Sequence, residues 1–410
     1  MAWEVKKLGD VVKKEKFSIV DGPFGTQLNK KEYVDEGIPV IRIKNITQEG
    51  KFSSKGLVYI TEEKFQTICR SAVYPGDILL AKTGGTIGKL CLVPEIIKKG
   101  LISSSCAKIS INKDIAEPRF IMFYLSTIEG QKKIIGSSGG STRNSINLTP
   151  LKNIEVPCPD ILKQRKILKI IDSAFEKIAK AKENSEQNLK NAKEVFESYL
   201  QKVFENKGED WEENILGKIL VKTETINPTK IPNKNFEYID VSSVNNKTFL
   251  IESTSIINST NAPSRARKLV KKGDVIFATV RPTLKRIAIV PNNLNEQICS
   301  TGYFVLRSKE NIVNELIFYY LQTYRFMSNM EKLQKGASYP AVTDRQVKEQ
   351  ILAFPNSLEE QKQIVSKLDN LSNQTKQLES IYSQKLSSLE ELKQSILQKA
   401  FKGELTRVEA

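Results

Sequence analysis

The chain has 410 residues, 40% hydrophobic and 27% charged, a net charge of +16 and no histidine. That balance fits a soluble globular protein of two to four domains; no apolar run approaches the roughly 18 residues of a membrane span, and Met1 to Lys7 lack the apolar core of a signal peptide, so a cytoplasmic location without membrane attachment is expected. Without histidine, the usual general base, the usual metal ligand and every Ser-His or Cys-His nucleophile are excluded, and the five scattered cysteines form no C-x-x-C pair that would suggest zinc or a disulfide framework.

The charge is unevenly placed. Residues 1–157 carry +8, residues 158–207 carry +3, residues 208–355 carry +5 and residues 356–410 are neutral. Two basic modules therefore alternate with two nearly neutral segments, and a polyanion is the natural ligand.

The first module opens with Trp3-Glu4-Val5-Lys6-Lys7-Leu8-Gly9, which is answered by Trp211-Glu212-Glu213-Asn214-Ile215-Leu216-Gly217. After the glycine-rich stretch Asp21-Gly22-Pro23-Phe24-Gly25-Thr26, the pattern predicts a strand over Ile38–Ile43, matched by Phe236–Val241. Gly76-Asp77 and Gly273-Asp274 then form turns that feed apolar strands ending at Ala81 and Ala278. Short strands follow at Gly88–Val93 and Cys106–Ile111, and at Arg286–Val290 and Tyr303–Leu306. One amphipathic helix per half is predicted, over Glu117–Ile135 and Asn311–Leu333. Each module ends in a loop, residues 136–144 and residues 335–340, before a last strand and a proline. Both modules read as strand-rich α+β globules.

Between and after them lies a stretch of about forty residues that occurs twice, Gln164–Phe204 and Gln361–Phe401. The copies share Gln164/Gln361, Ile167/Ile364, Asp172/Asp369, Leu200/Leu397, Gln201/Gln398 and Phe204/Phe401. Apolar residues recur at spacings of three and four, through Ile167, Ile171, Ala174, Ile178, Ala181, Ser185, Asn188, Ala192, Val195 and Tyr199. The second seam runs through Ile364, Leu368, Leu371, Thr375, Leu378, Tyr382, Lys385, Leu389, Leu392 and Ile396. These seams predict two long helices, each spanning roughly 60 Å, paired antiparallel in the manner of a coiled coil.

Gly84-Gly85-Thr86-Ile87-Gly88-Lys89-Leu90 approaches a phosphate-binding loop, but Thr83 and Leu90 occupy positions that need Gly and Ser or Thr, so a nucleotide site is rejected. Lys82, Thr83, Thr86 and Lys89 instead suggest a basic hairpin between strands. Arg281, Lys285 and Arg286 make its counterpart basic at the same place, and DNA contact is expected at both. A methyltransferase of amino groups needs a Pro-Pro-aromatic motif, and the chain has no Pro-Pro pair. A nuclease needs clustered carboxylates with a lysine, and no acidic-x-Lys follows Asp160 within forty residues. The chain reads as a binder without catalysis of its own; a stand-alone two-headed DNA-bridging protein remains the alternative.

The duplicated layout, Gly22-Pro23-Phe24-Gly25-Thr26 leading to the Ile38–Ile43 strand, the paired Gly-Asp turns and the ending Leu397-Gln398-Lys399-Ala400-Phe401-Lys402-Gly403-Glu404-Leu405 resemble the specificity subunit of type I restriction-modification systems. The resemblance covers essentially the whole chain. It implies a pseudo-two-fold repeat of two target recognition domains (residues 1–157 and 208–355) separated by conserved antiparallel helices (residues 158–207 and 356–410). In such families each domain reads half of a split, asymmetric double-stranded DNA site and the helices set the gap. Two modification subunits carry S-adenosylmethionine, and two restriction subunits supply ATP- and magnesium-dependent translocation and cleavage; no cofactor is expected in this chain. Their docking surfaces are expected on outer helix faces that include Phe175, Phe196, Phe204 and Phe401, and exposed apolar faces leave room for homodimerisation of the isolated chain. Base contacts are expected from Lys82, Thr83, Thr86, Lys89, Arg143 and Asn144, and from Arg281, Lys285, Arg286 and Tyr339. Lys30, Lys31 and Lys44 are expected on phosphates.

Overall fold

The structure is a computed structural model that describes residues 3–139 and 145–406. It divides into two compact units, one holding residues up to 185 together with those from 385 on, the other residues 186–384. Each combines one globular module with parts of both long helices.

In the first unit, one four-stranded sheet has the order Ile19–Asp21, Cys106–Ile109, Ile78–Ala81, Leu90–Leu92, all antiparallel. A second has the order Val58–Ile60, Ile38–Ile41, Gly100–Ile102, Ala72–Val73, with its central pair parallel. The second unit repeats the plan. Its four-stranded sheet runs Ser255–Asn258, Asn235–Ile239, Gln297–Ser300, Ala266–Val270, again with a parallel central pair, and its three-stranded sheet runs Ile287–Ile289, Val275–Ala278, Tyr303–Leu306. The Gly-Asp turns work as expected: Gly76 and Gly273 sit at φ +85 and +83, where glycine carries no Cβ penalty. The Asp77 and Asp274 carboxylates accept the N–H groups of Tyr74 and Lys271 at 2.9 and 2.7 Å.

The tryptophan-led openings have a structural reason. Val5–Lys7 pairs with Glu155–Pro157, and Trp211–Ile215 with Ile351–Pro355, both antiparallel. Each module therefore ends on the strand that closes its beginning and releases the chain into a long helix. Those helices run Ile161–Glu205 and Leu358–Phe401. Asp160 and Ser357 cap their starts by accepting the N–H groups of Lys163 and Glu360, which satisfies donors that the first turn leaves orphaned.

Within each unit the helix segments pack antiparallel. In the first, Ile167, Leu168 and Ile171 share a core with Leu397 and Ala400, while further along Lys182 pairs with Glu390 at 3.1 Å. In the second, Leu200 and Phe204 share a core with Val365 and Leu368.

Three expectations are corrected. The single amphipathic helix of each half is two helices, Pro118–Leu125 with Ile128–Gly136, and Asn314–Tyr320 with Tyr324–Leu333. Thr127 breaks the first by donating to the Tyr124 carbonyl at 2.6 Å while accepting from Gly130 N–H at 3.1 Å. Thr323 does the same between Tyr320 and Phe326. Gly130 is needed there because a Cβ would stand 2.3 Å from the Tyr124 carbonyl oxygen.

The heptad seam drifts by one residue beyond the middle of the first helix, where Asn188 and Val195 are exposed and Leu189 and Phe196 turn inward. In the second helix Lys385 and Leu392 are exposed while Leu386 and Lys393 turn inward. A 3.6-residue helix falls about 20° behind a seven-residue repeat in each heptad, and here the core follows the helix.

Of the four phenylalanines expected on outer faces, Phe204 is buried, while Phe175, Phe196 and Phe401 are half-buried. Phe204 is buried against Tyr320, with centroids 5.8 Å apart, and Phe196 meets Tyr319 at 6.3 Å. Phe401 packs on Phe120 and Tyr124 at 4.9 and 5.5 Å, and Phe175 on Phe123 at 5.7 Å. Full burial of a phenylalanine contributes about 1.5–3 kcal/mol, a value Phe204 approaches and the three half-buried rings reach in part, so these rings fasten helix to globule.

Candidate nucleic-acid interface

In the first unit, residues 82–89 connect the paired strands Ile78–Ala81 and Leu90–Leu92. The turn depends on Gly84 and Gly88 at φ +83 and +90. Around Gly84 and Gly85 there is open space, with nothing within 4 Å of an added Cβ, so the backbone there is free to approach a ligand. Thr83 bridges to Ser145, and Ile146 N–H donates to the Lys82 carbonyl at 3.0 Å. The late hairpin Ser138–Gly139/Ser145–Ile146 is thereby held beside the basic loop. Two stretches far apart in sequence, both singled out for DNA contact, are brought together. Arg143 and Asn144 lie outside the described residues.

The loop's residues divide in role. Lys82 points inward: its Nζ is 2.7 Å from Asp21 Oδ2, with both side chains mostly buried, and Arg70 reaches the other carboxylate oxygen at 3.8 Å. Thr83, Thr86 and Lys89 are partly exposed along the loop. Asp21 ends the strand before Gly22, whose Cβ would stand 2.1 Å from the Ser103 carbonyl oxygen, so only glycine fits. Phe24, two residues on, is 59% exposed. Lys30, Lys31 and Lys44 are exposed on short turns that flank the other sheet.

The second unit builds the counterpart differently. Arg281 and Lys285 adopt left-handed φ values of +50 and +53 around the turn Pro282–Leu284. Val280 bridges to Ala341, so the loop before Ala341 lies against this turn as the late hairpin does in the first unit. Arg281 N–H donates to the Pro340 carbonyl at 2.7 Å and its guanidinium to the Ser338 carbonyl at 3.2 Å. The same guanidinium sits 4.7 Å from the centroid of Tyr339, which is 71% exposed. Arg281 and Tyr339 thus form one stacked unit at the surface. Arg286 turns inward and donates to the carbonyls of Val241 and Val244 at 2.8 and 3.2 Å, which fastens the loop to the sheet.

Sequence reasoning missed Asp21, which meets Lys82 at the loop, and Arg70, which meets Asp21. The first was visible only as the start of a glycine motif, and nothing in the sequence pairs it with Lys82. The buried thiols of Cys91, Cys106 and Cys299 are pushed up to about 12, 11 and 12 by burial, so they are inert packing groups. Among the described residues no helix is long and apolar enough to cross a membrane.

Fold and site together define a duplicated binding protein, with one basic loop pair per unit. A family model for the type I restriction modification DNA specificity domain matches twice, over residues 2–191 and 208–388, and the chain belongs to this family of type I specificity subunits. The putative type I restriction enzyme MjaX specificity subunit of Methanocaldococcus jannaschii is 26% identical over 390 residues, covering 89% of this chain and 86% of that protein. The fold is similar to that of a chain solved in work on complex assembly and conformational transition of the type I R-M system, with TM-score 0.74, 18% identity and 98% of each chain covered. It is also similar to the HsdS subunit from Thermoanaerobacter tengcongensis, with TM-score 0.65, 20% identity, and 98% and 97% of the two chains covered.

Proposed function

We propose that this chain is a non-catalytic subunit that reads a split, asymmetric double-stranded DNA site, one half per target recognition domain, with domains at residues 1–157 and 208–355. The observation that carries this reading is the repeated tie between loops, Thr83 to Ser145 in one unit and Val280 to Ala341 in the other. Each tie gathers a basic turn and a second loop on one sheet end, a compact surface for base edges and phosphates. Thr83, Thr86, Lys89, Arg143 and Asn144 serve the first half-site, and Arg281, Lys285 and Tyr339 the second. Lys82 and Arg286 hold the loops, and Lys30, Lys31 and Lys44 meet phosphates. The segments 158–207 and 356–410 fix the gap and present docking surfaces to two modification subunits, which bring S-adenosylmethionine and flip the target adenine. Restriction subunits bring ATP and magnesium. The reading implies a cytoplasmic location, alongside the DNA that the chain reads.

The test is selection of retained sequences from random duplex DNA, with and without the modification subunit. A two-part motif with a constant gap, sharpened by the partner, is the expected result. Retention without sequence bias in either case overturns the reading.

A further inference from the structure

The units also differ at the turn that follows the short helix after the first strand of each parallel pair. In the second, Phe249 sits at φ +59 in the turn after the short helix Val241–Ser243. Its ring meets Phe318 edge-on at 6.2 Å, and Lys376 Nζ lies 3.5 Å from the Thr248 carbonyl oxygen. This turn is closed onto the helices. The first unit has the same turn after Ile43–Asn45. Ser53 N–H donates to the Asn45 carbonyl as Glu252 N–H does to that of Ser243, both within 3.0 Å, which aligns the two turns and sets Gly50, at φ +71, where Phe249 stands. Gln164 and Gln361 accept the N–H groups of Glu117 and Val313 at the same point of each fold, and this sets Met122 where Phe318 stands.

Two rings are thus replaced by a glycine and a methionine, and a groove of about 1330 Å³ opens in the first unit, lined by Gly50, Met122, Phe123 and Phe175 among others. Its charged lining has five cations (Lys51, Lys89, Arg119, Lys182, Lys393) against three carboxylates (Glu49, Asp172, Glu390). Arg119 is paired with Asp172 and Lys182 with Glu390, which leaves Lys51, Lys89 and Lys393 against Glu49 alone, a surplus of two positive charges. Methionine beside aromatic rings forms an adaptable seat for another ring.

We propose that this groove receives an aromatic side chain, flanked by acidic residues, carried on a segment of the modification subunit, and that it takes the space Phe249 fills in the second unit. The inference rests on the reading of the chain as a specificity subunit. Two identical partners then engage the two units non-equivalently. Because Thr86 to Lys89 form part of the groove wall, the docked segment touches the loop assigned to DNA.

The test uses the complex co-expressed with the modification subunit, diluted and weighed by single-molecule mass measurement, with hydrogen exchange on the assembled form. Gly50→Phe fills the groove with the chain's own ring, in a backbone geometry that Phe249 already adopts. Ile96→Glu adds negative charge to the groove from a residue that is 79% exposed, so the core is untouched. Each variant is expected to weaken one of the two partner-binding events about tenfold or more, roughly 1.4 kcal/mol, and to leave the other unchanged. Residues 47–52 and 119–126 should gain protection on assembly of the wild type only. Wild-type retention of both partners by both variants, or no protection of 119–126 in the wild-type complex, overturns the proposal. A wild-type chain that binds no modification subunit at all sinks the subunit reading itself, and the groove assignment with it.

Discussion

Gln164 and Glu117 meet where the first long helix leaves its module: Oε1 of Gln164 accepts the backbone N–H of Glu117 at 2.9 Å. The amide nitrogen of Gln164 donates to the carbonyls of Pro159 and Ile115 at 2.7 and 3.2 Å. Gln361 repeats all three bonds, with Val313, Pro355 and Asn311 at 2.9, 2.8 and 2.9 Å. Both glutamines are fully buried, so this identity between the two helix copies is a junction that locks helix to globule.

Leucine at either position has nearly the same volume but leaves a buried N–H and two carbonyls without their partner. Each orphaned group costs about 1–3 kcal/mol, so Gln164→Leu and Gln361→Leu are each expected to destabilise by roughly 3 kcal/mol or more. Hydrogen exchange in denaturant locates the effect: Gln164→Leu should open residues 115–125 first, and Gln361→Leu residues 311–321. Unchanged protection would mean that water replaces the amide without loss.

Asp21 determines what Lys82 can do at the interface. With its ammonium 2.7 Å from the carboxylate, Lys82 is in effect neutralised, and the loop presents less positive charge than its sequence suggests. Asp21→Asn should strengthen DNA binding by the assembled complex at low salt. It should also steepen the dependence of log K on log salt by about 1, the increment of one added phosphate contact. A slope identical to wild type would mean that Lys82 stays turned inward without its partner.

How far the sequence reaches can be judged from these sites. The strand beginning at Ile38, the Gly-Asp turns and the two long helices were legible because each depends on local periodicity or on a glycine with a defined φ. The pairing of Val5–Lys7 with Glu155–Pro157 was not, since no local pattern records a contact across a whole domain. Phe204 was misplaced for a related reason: a ring off the helix seam looks solvent-facing until the globule that covers it is known. At the candidate interface, the basic turns and the late loops were each visible. Their joining through Thr83 and Ser145, and the withdrawal of Lys82 and Arg286 into structural bonds, arise only where the sheets bring distant segments together.

The seam shift makes a paired prediction. Val195 is 52% exposed while Phe196 packs on Tyr319. Val195→Glu should change stability by no more than about 0.5 kcal/mol, as exposed substitutions do. Phe196→Ala removes a half-buried ring and should cost roughly 2 kcal/mol, below the 3–5 of a fully buried phenylalanine. Urea midpoints of the two variants check the order, and the reverse order would restore the strict heptad.

Glu224 supplies a pH signature. Hydrogen bonds from Arg307, its own backbone N–H and Lys271 hold its carboxyl down to about 2 from an ordinary value of 4.5. Between those values the unfolded chain binds the proton and the folded one does not, so stability from this group is fully present above pH 4.5 and lost as pH falls toward 2. The group is exposed, and solvent screening keeps the effect small. Glu224→Gln should flatten the acid limb of the stability curve in that window and leave its neutral plateau nearly level. A parallel acid limb in the variant would show that Arg307 draws its stability from Asp274 alone, which it holds by two bonds of 2.7 and 2.8 Å.

Arg281 and Tyr339 give the sharpest test of sequence reading. The guanidinium is fixed by the Ser338 carbonyl and by the ring beneath it, so little side-chain entropy remains to be lost on contact with a base. Arginine in a fixed plane is suited to the O6 and N7 acceptors of guanine. Arg281→Ala should therefore relax preference at one position of one half-site, at about 1–3 kcal/mol, with the other half-site unchanged. Tyr339→Ala leaves the charge but frees the side chain, and should blur the same position by a smaller factor. Lys285→Ala should weaken all sequences alike if that ammonium meets phosphate. Sequencing the DNA retained by each variant complex separates the three patterns, and uniform weakening by Arg281→Ala would move that residue from base reading to backbone contact.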